Sequence, residues 1–146
     1  MMKRLLVSAI LALGAAAPAL AEDLTVWGQS GDWTILRDPN HGNGCLVQAT
    51  LSDGSTLRIG FEKKGDGLGY ISSFNPFWAK FDMSKEYDVT VKFADQLFVG
   101  KGKGATLADM PGVVAKSDSI ELLVALAKSD SVNLSTDGGE GLTVKL

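Results

Sequence analysis

The sequence predicts a mainly β domain, an antiparallel β-sandwich or partly open barrel of about eight strands with one short α-helix near the C-terminus. Three observations carry this. Apolar residues alternate with period two along most of the chain, glycine-rich turns separate the alternating runs, and one late segment shifts to helical spacing.

The first runs flank the turn Gly28-Gln29-Ser30-Gly31-Asp32, and their strand patterns place Trp27 and Trp33 in the core or at its edge. Between residues 33 and 37, Trp33 and Ile35 alternate with Thr34, although Leu36 blurs the pattern. Cys45, Val47, Ala49 and Leu51 share one strand face while Gln48 and Thr50 point the other way. Asp53-Gly54 then predicts a hairpin, because glycine reaches positive φ without a Cβ clash. In the partner strand Leu57, Ile59 and Phe61 form an apolar face opposite Arg58 and Glu62.

A polar turn leads to the apolar stretch 69–81, which holds Tyr70, Phe74, Phe77, Trp78 and Phe81. Within it Asn75-Pro76 predicts a single helical turn, since proline's fixed φ suits the first helical position. The clearest strand follows, with Tyr87, Val89, Val91 and Phe93 on one face and Asp88, Thr90 and Lys92 on the other. Residues 94–96 turn the chain into a short strand, 97–100. The helix is predicted over 119–128, where Ile120, Leu123, Val124 and Ala127 recur at helical spacing and Asp118 with Glu121 forms a start box. A last hairpin pairs Val132 and Leu134 with Leu142, Val144 and Leu146.

Ahead of this domain, residues 1–21 read as a cleaved signal peptide. Lys3 and Arg4 supply the positive start, residues 5–17 the uncharged apolar segment, Pro18 its break, and Ala19-x-Ala21 the small-residue cleavage site. The apolar segment is shorter than the roughly 18 residues a membrane anchor requires. Residues 22–146 are then a single mature domain, periplasmic or secreted, without stable membrane insertion. Glu22 at the new terminus leaves no thiol for a lipid. The net charge of −3 becomes −5 once Lys3 and Arg4 depart with the leader, and no basic stripe is present to bind nucleic acid. Cys45 is the sole cysteine, so no internal disulfide can form. Its expected role is a small buried hydrophobe; a Cys45-linked dimer and a reactive thiol are the alternatives.

The chemistry-bearing motifs are mostly exclusions. One histidine and one cysteine cannot build a zinc site at ligand spacing. His41 lies in a glycine- and asparagine-rich loop that predicts a solvated side chain. The fragment 28–32 lacks the second glycine of a nucleophile elbow. The glycine-rich stretches 65–69 and 100–106 lack phosphate-loop spacing, and Lys101 and Lys103 are expected in a mobile basic loop. No catalytic, cofactor or metal residue is assigned. A ligand or partner surface is expected at Trp78, Phe77, His41, Lys101 and Lys103, with the loops 39–44, 63–69 and 101–104 as binding loops.

Residues 31–48, GDWTILRDPNHGNGCLVQ, resemble the start of the mature region in invasion-associated locus B proteins, small exported proteins of alphaproteobacteria. Gly31, Asp32, Trp33, Cys45, Val47 and Gln48 carry the resemblance. Members usually place another cysteine shortly after the tryptophan; Arg37 and Asp38 stand in that region here, so the implied disulfide has no second thiol. The resemblance implies a Gram-negative envelope location and no catalytic residues. The expected function is therefore a non-catalytic binding protein for an envelope protein or glycan. The alternatives are an inhibitor of an extracytoplasmic hydrolase and a hydrolase with dispersed carboxylates.

Overall fold

The turn signals close hairpins as their chemistry requires. Gly31, at φ +57°, turns β1 (Thr25–Ser30) into β2 (Trp33–Asp38), and Gly54, at φ +85°, turns β3 (Gly44–Thr50) into β4 (Thr56–Gly60). The latter turn is closed by Gly54 N–H donating to the Leu51 carbonyl (3.0 Å) and Leu51 N–H to that of Ser55 (2.8 Å). The computed structural model describes residues 24–39, 42–62, 69–78, 81–93, 95–137 and 141–146. The expected leader 1–21, His41 and most of the expected binding loop 63–69 lie outside the described residues.

Beyond β4 come β5 (Gly69–Phe74), β6 (Glu86–Phe93), β7 (Gln96–Leu107), β8 (Met110–Ser117), α1 (Ile120–Lys128), β9 (Ser131–Thr136) and β10 (Gly141–Lys145). All strands pair antiparallel in one open sheet, in the order β1-β2-β3-β4-β5-β8-β7-β6-β9-β10. The fold is thus mainly β, and the described residues hold one short helix near the C-terminus, as expected. The β6-β7-β8 meander folds back so that β8, not β6, pairs with β5.

One face of the sheet carries the main core. Leu57, Ile59, Ile71, Val89, Val91, Phe93, Val113, Val132, Leu134, Leu142 and Val144 are buried there, and Leu122 and Leu126 of α1 pack against them. Gly102 makes room: a Cβ on it would come within 2.7 Å of Val89 and 2.8 Å of Val113. The expected final hairpin forms, with Leu142 opposite Leu134 and Val144 opposite Val132, while Leu146 lies beyond β10 and its N–H donates to the Asp130 carbonyl (2.8 Å).

Several expectations are corrected. Lys101 and Lys103 lie within the twelve-residue strand β7 rather than in a loop. Strand β8 escaped prediction because Pro111 and Gly112 open it and its hairpin turn is Ala108-Asp109, two non-glycine residues at φ +46° and +68°. The helix is capped by Ser119, whose Oγ accepts from Leu122 N–H at 3.2 Å, not by Asp118. Trp27, expected near the core, is 79% exposed where a bulge breaks the register of edge strand β1. Cys45 is exposed rather than buried: it is the second residue of β3, opposite exposed Arg37.

Candidate functional site

The face opposite α1 is also largely buried, and its burial mixes polar side chains with apolar ones. Three cross-strand rows build it. Leu46, Gly60, Tyr70 and Lys116 stand side by side on β3, β4, β5 and β8; Gln48, Arg58, Ser72 and Val114 form the next row; Thr50, Thr56, Phe74 and Gly112 the third. Two glycines receive the aromatics. A Cβ on Gly60 would meet the Tyr70 ring at 2.5 Å, and one on Gly112 would meet the Phe74 ring at 2.2 Å, so each ring lies across its partner strand's backbone.

These rows floor an open pocket of about 250 Å³ lined by Asp38, Arg58, Glu62, Tyr70, Ser72 and Lys116, among others. Arg58 and Asp38 are only 8% and 6% exposed. Alternation sets Arg58 on the polar side of β4, which it occupies, but that side is covered. Its Nε donates to Gln48 Oε1 at 2.8 Å, a charge-assisted bond within the second row. The Glu62 side chain is 9% exposed and accepts from Lys116 Nζ at 2.9 and 3.1 Å, while Lys116 reaches up from solvent. Charged side chains are seldom buried unless paired. Here two acids and two bases share one pocket, and their formal charges sum to zero.

A second, larger cleft of about 550 Å³ lies between α1 and the β6–β7 turn, lined by Phe93, Asp95, Glu121, Val124, Lys128 and Asp130 among others. Its ionisable side chains are all exposed. Glu121 is held below the usual glutamate range by backbone hydrogen bonding at the helix start and by the Ser119 hydroxyl, an effect that belongs to capping. Among the described residues no three His, Cys, Asp or Glu side chains gather as metal ligands, and no helix is long and apolar enough to cross a membrane.

The surface expected from the sequence does not assemble. Trp78 packs on the main core and meets Phe81 edge to face, centroids 5.9 Å apart; Phe81 in turn meets Tyr87 at 4.9 Å. Lys101 pairs with Asp88 across β6–β7, and this partner raises its pKa above the ordinary lysine value. Lys103 sits one pleat further along the same face, opposite Glu86. Phe77 is 81% exposed. Its turn is braced: Asn75 Nδ2 donates to Ser55 Oγ (2.7 Å), Asn75 Oδ1 accepts from Phe77 N–H (2.7 Å), and Asn75 N–H donates to the Pro111 carbonyl (3.1 Å). Sequence reasoning missed Asp38, Arg58, Glu62, Tyr70, Ser72 and Lys116. The available signal was a glycine ending one strand, Gly60, and a tyrosine opening the next. Comparison with family models, curated proteins and solved structures finds no match to this chain.

Proposed function

We propose that this chain is an exported, non-catalytic binding protein of the cell envelope, periplasmic or secreted, which takes a small ligand or the end of a larger one in the Arg58 pocket. The observation that carries the reading is the burial of Arg58 and Asp38 beside Glu62 in an open concavity. Ligand sites characteristically combine an apolar floor with a few convergent polar groups, and Tyr70, Phe74 and Val114 supply that floor. The leader pattern and the resemblance of residues 31–48 to invasion-associated locus B proteins support the compartment. Screening the purified protein by thermal unfolding against sugars, amino acids and organic anions tests the reading. A ligand present at about 100 times its Kd adds about 2.7 kcal/mol of stability, a gain that Arg58→Met removes. A screen in which every stabilising compound acts equally on the Arg58→Met protein overturns it.

A second reading, an inhibitor that docks on an extracytoplasmic hydrolase, is favoured by Phe77, a phenyl ring held in solvent by a turn fixed at Asn75. Loss of inhibition in Phe77→Ala, measured across lysozyme-like and protease targets, is its expected signature. A disulfide joining the Cys45 thiols of two copies belongs to the same proposal for the envelope, and non-reducing electrophoresis checks it.

A further inference from the structure

We infer that the ligand class of the Arg58 pocket is a neutral carbohydrate, bound by its terminal sugar ring; this rests on the reading of that pocket as the binding site. Charge gives the first argument. Asp38 and Glu62 balance Arg58 and Lys116, and Glu62 is already joined to Lys116, so an anion or cation entering here meets no net charge and competes with an existing pair. A ligand without charge avoids that cost.

The form of the polar groups points the same way. Planar groups of opposite sense line the pocket together, the guanidinium of Arg58 and the carboxylates of Asp38 and Glu62, with the hydroxyl of Ser72 in the same row as Arg58. Neighbouring sugar hydroxyls each donate and accept, so they need donors and acceptors interleaved at short spacing. Third, Tyr70 rests across Gly60 on one side, is only half-buried, and lines the pocket. Such a ring offers a flat apolar surface to the C–H face of a sugar at little entropic cost. Size decides how much of the ligand enters. About 250 Å³ lies below the roughly 300 Å³ at which pockets begin to engulf a whole drug-sized ligand, so the end of a chain fits and its remainder lies in solvent.

The test is a titration of the ¹⁵N-labelled protein with cellotriose and tri-N-acetylchitotriose as neutral probes and with glutamate, lysine and inorganic phosphate as charged ones. The expected result is that a neutral trisaccharide shifts the amides of Arg58, Tyr70 and Ser72. Tyr70→Ala weakens that binding about tenfold while Tyr70→Phe, which keeps the ring, restores it. Thermal unfolding of both variants separates lost affinity from lost fold, and Lys116→Gln, altered on an exposed side chain, gives a further pocket variant that retains the core. Shifts in the pocket from a charged probe with none from either trisaccharide overturn the carbohydrate assignment and leave the pocket as a binding site. Pocket amides unmoved by every probe overturn the carbohydrate assignment and count against the pocket as well.

Discussion

Leu57 and Arg58 are consecutive residues of β4, both buried, and they face two different kinds of interior. Leu57 enters the apolar core beneath α1 with Ile59, Ile71 and Val113. Arg58 enters the polar layer on the other side, bonded to Gln48 and flanked by Asp38 and Ser72. The difference teaches how one sheet divides its labour. The helix face holds the fold through close apolar packing, which tolerates few changes of volume. The opposite face holds ionisable groups in place, and their burial is weak evidence for stability, since replacing buried charge by well-packed apolar groups is often neutral or stabilising.

Substitutions at this pair of neighbours give the largest effects and separate the two faces. Leu57→Ala is expected to cost about 2–5 kcal/mol in denaturant unfolding, with ligand affinity unchanged in whatever folded protein remains. Arg58→Met, which keeps the length of the stem, is expected to cost less, about 1–3 kcal/mol, through the acceptors it strands, and to abolish binding. If the two variants lose stability and binding in the same proportion, the division between faces is wrong. A smaller effect is expected at Ser119→Ala, about 1 kcal/mol, because the Leu122 N–H loses its acceptor. That change lies on the helix side alone and leaves the pocket amides in place.

The smallest effects come from the exposed rim. Phe77→Ala is expected to leave stability within about 0.5 kcal/mol. Asp53 and Asp82 are held below the ordinary aspartate value of 3.8 by hydrogen bonds from Ser55 and Ser84, and Glu121 below the ordinary glutamate value of 4.5 by the helix start. A depressed carboxyl pKa favours the folded state above the ordinary value, and that contribution fades as pH falls through the folded value. Unfolding midpoints are therefore expected to be flat from neutrality to about pH 5 and to decline below about pH 4. Asp53→Asn shallows the decline slightly.

The two faces were not equally legible. Alternation in residues 47–51, 57–59, 87–93 and 132–144 identified the helix face, because an apolar residue at every second position has one physical meaning in a strand, whereas Cys45 and Phe61, which the same runs put on that face, are exposed. The same alternation placed Gln48, Arg58 and Glu62 on a polar side, and nothing in their types distinguishes polar from solvated. Their burial depends on β8 lying beside β5, a pairing between distant segments that Pro111 and Gly112 hid from local reasoning. Leu36, which blurred the pattern of β2, is the local trace of that second interior: it is buried opposite Leu46 on the pocket face. Phe77 was legible as surface, whereas its neighbour Trp78, half-buried against the core, follows the turn that Asn75 fixes.

The seam between β5 and β8 has a kinetic consequence. Strands β1 to β5 pair in sequence order, as do β6 to β8 and the final hairpin, so most of the sheet can form by closing short loops. Only β5 with β8 and β6 with β9 join segments far apart in the chain, such as Gly69 with Ser117 and Val89 with Thr136. Closing those long loops costs entropy before any distant contact forms. The transition state for folding is expected at that seam, with local hairpins preceding it, and the pocket, which spans it, is among the last features of the native protein to exist.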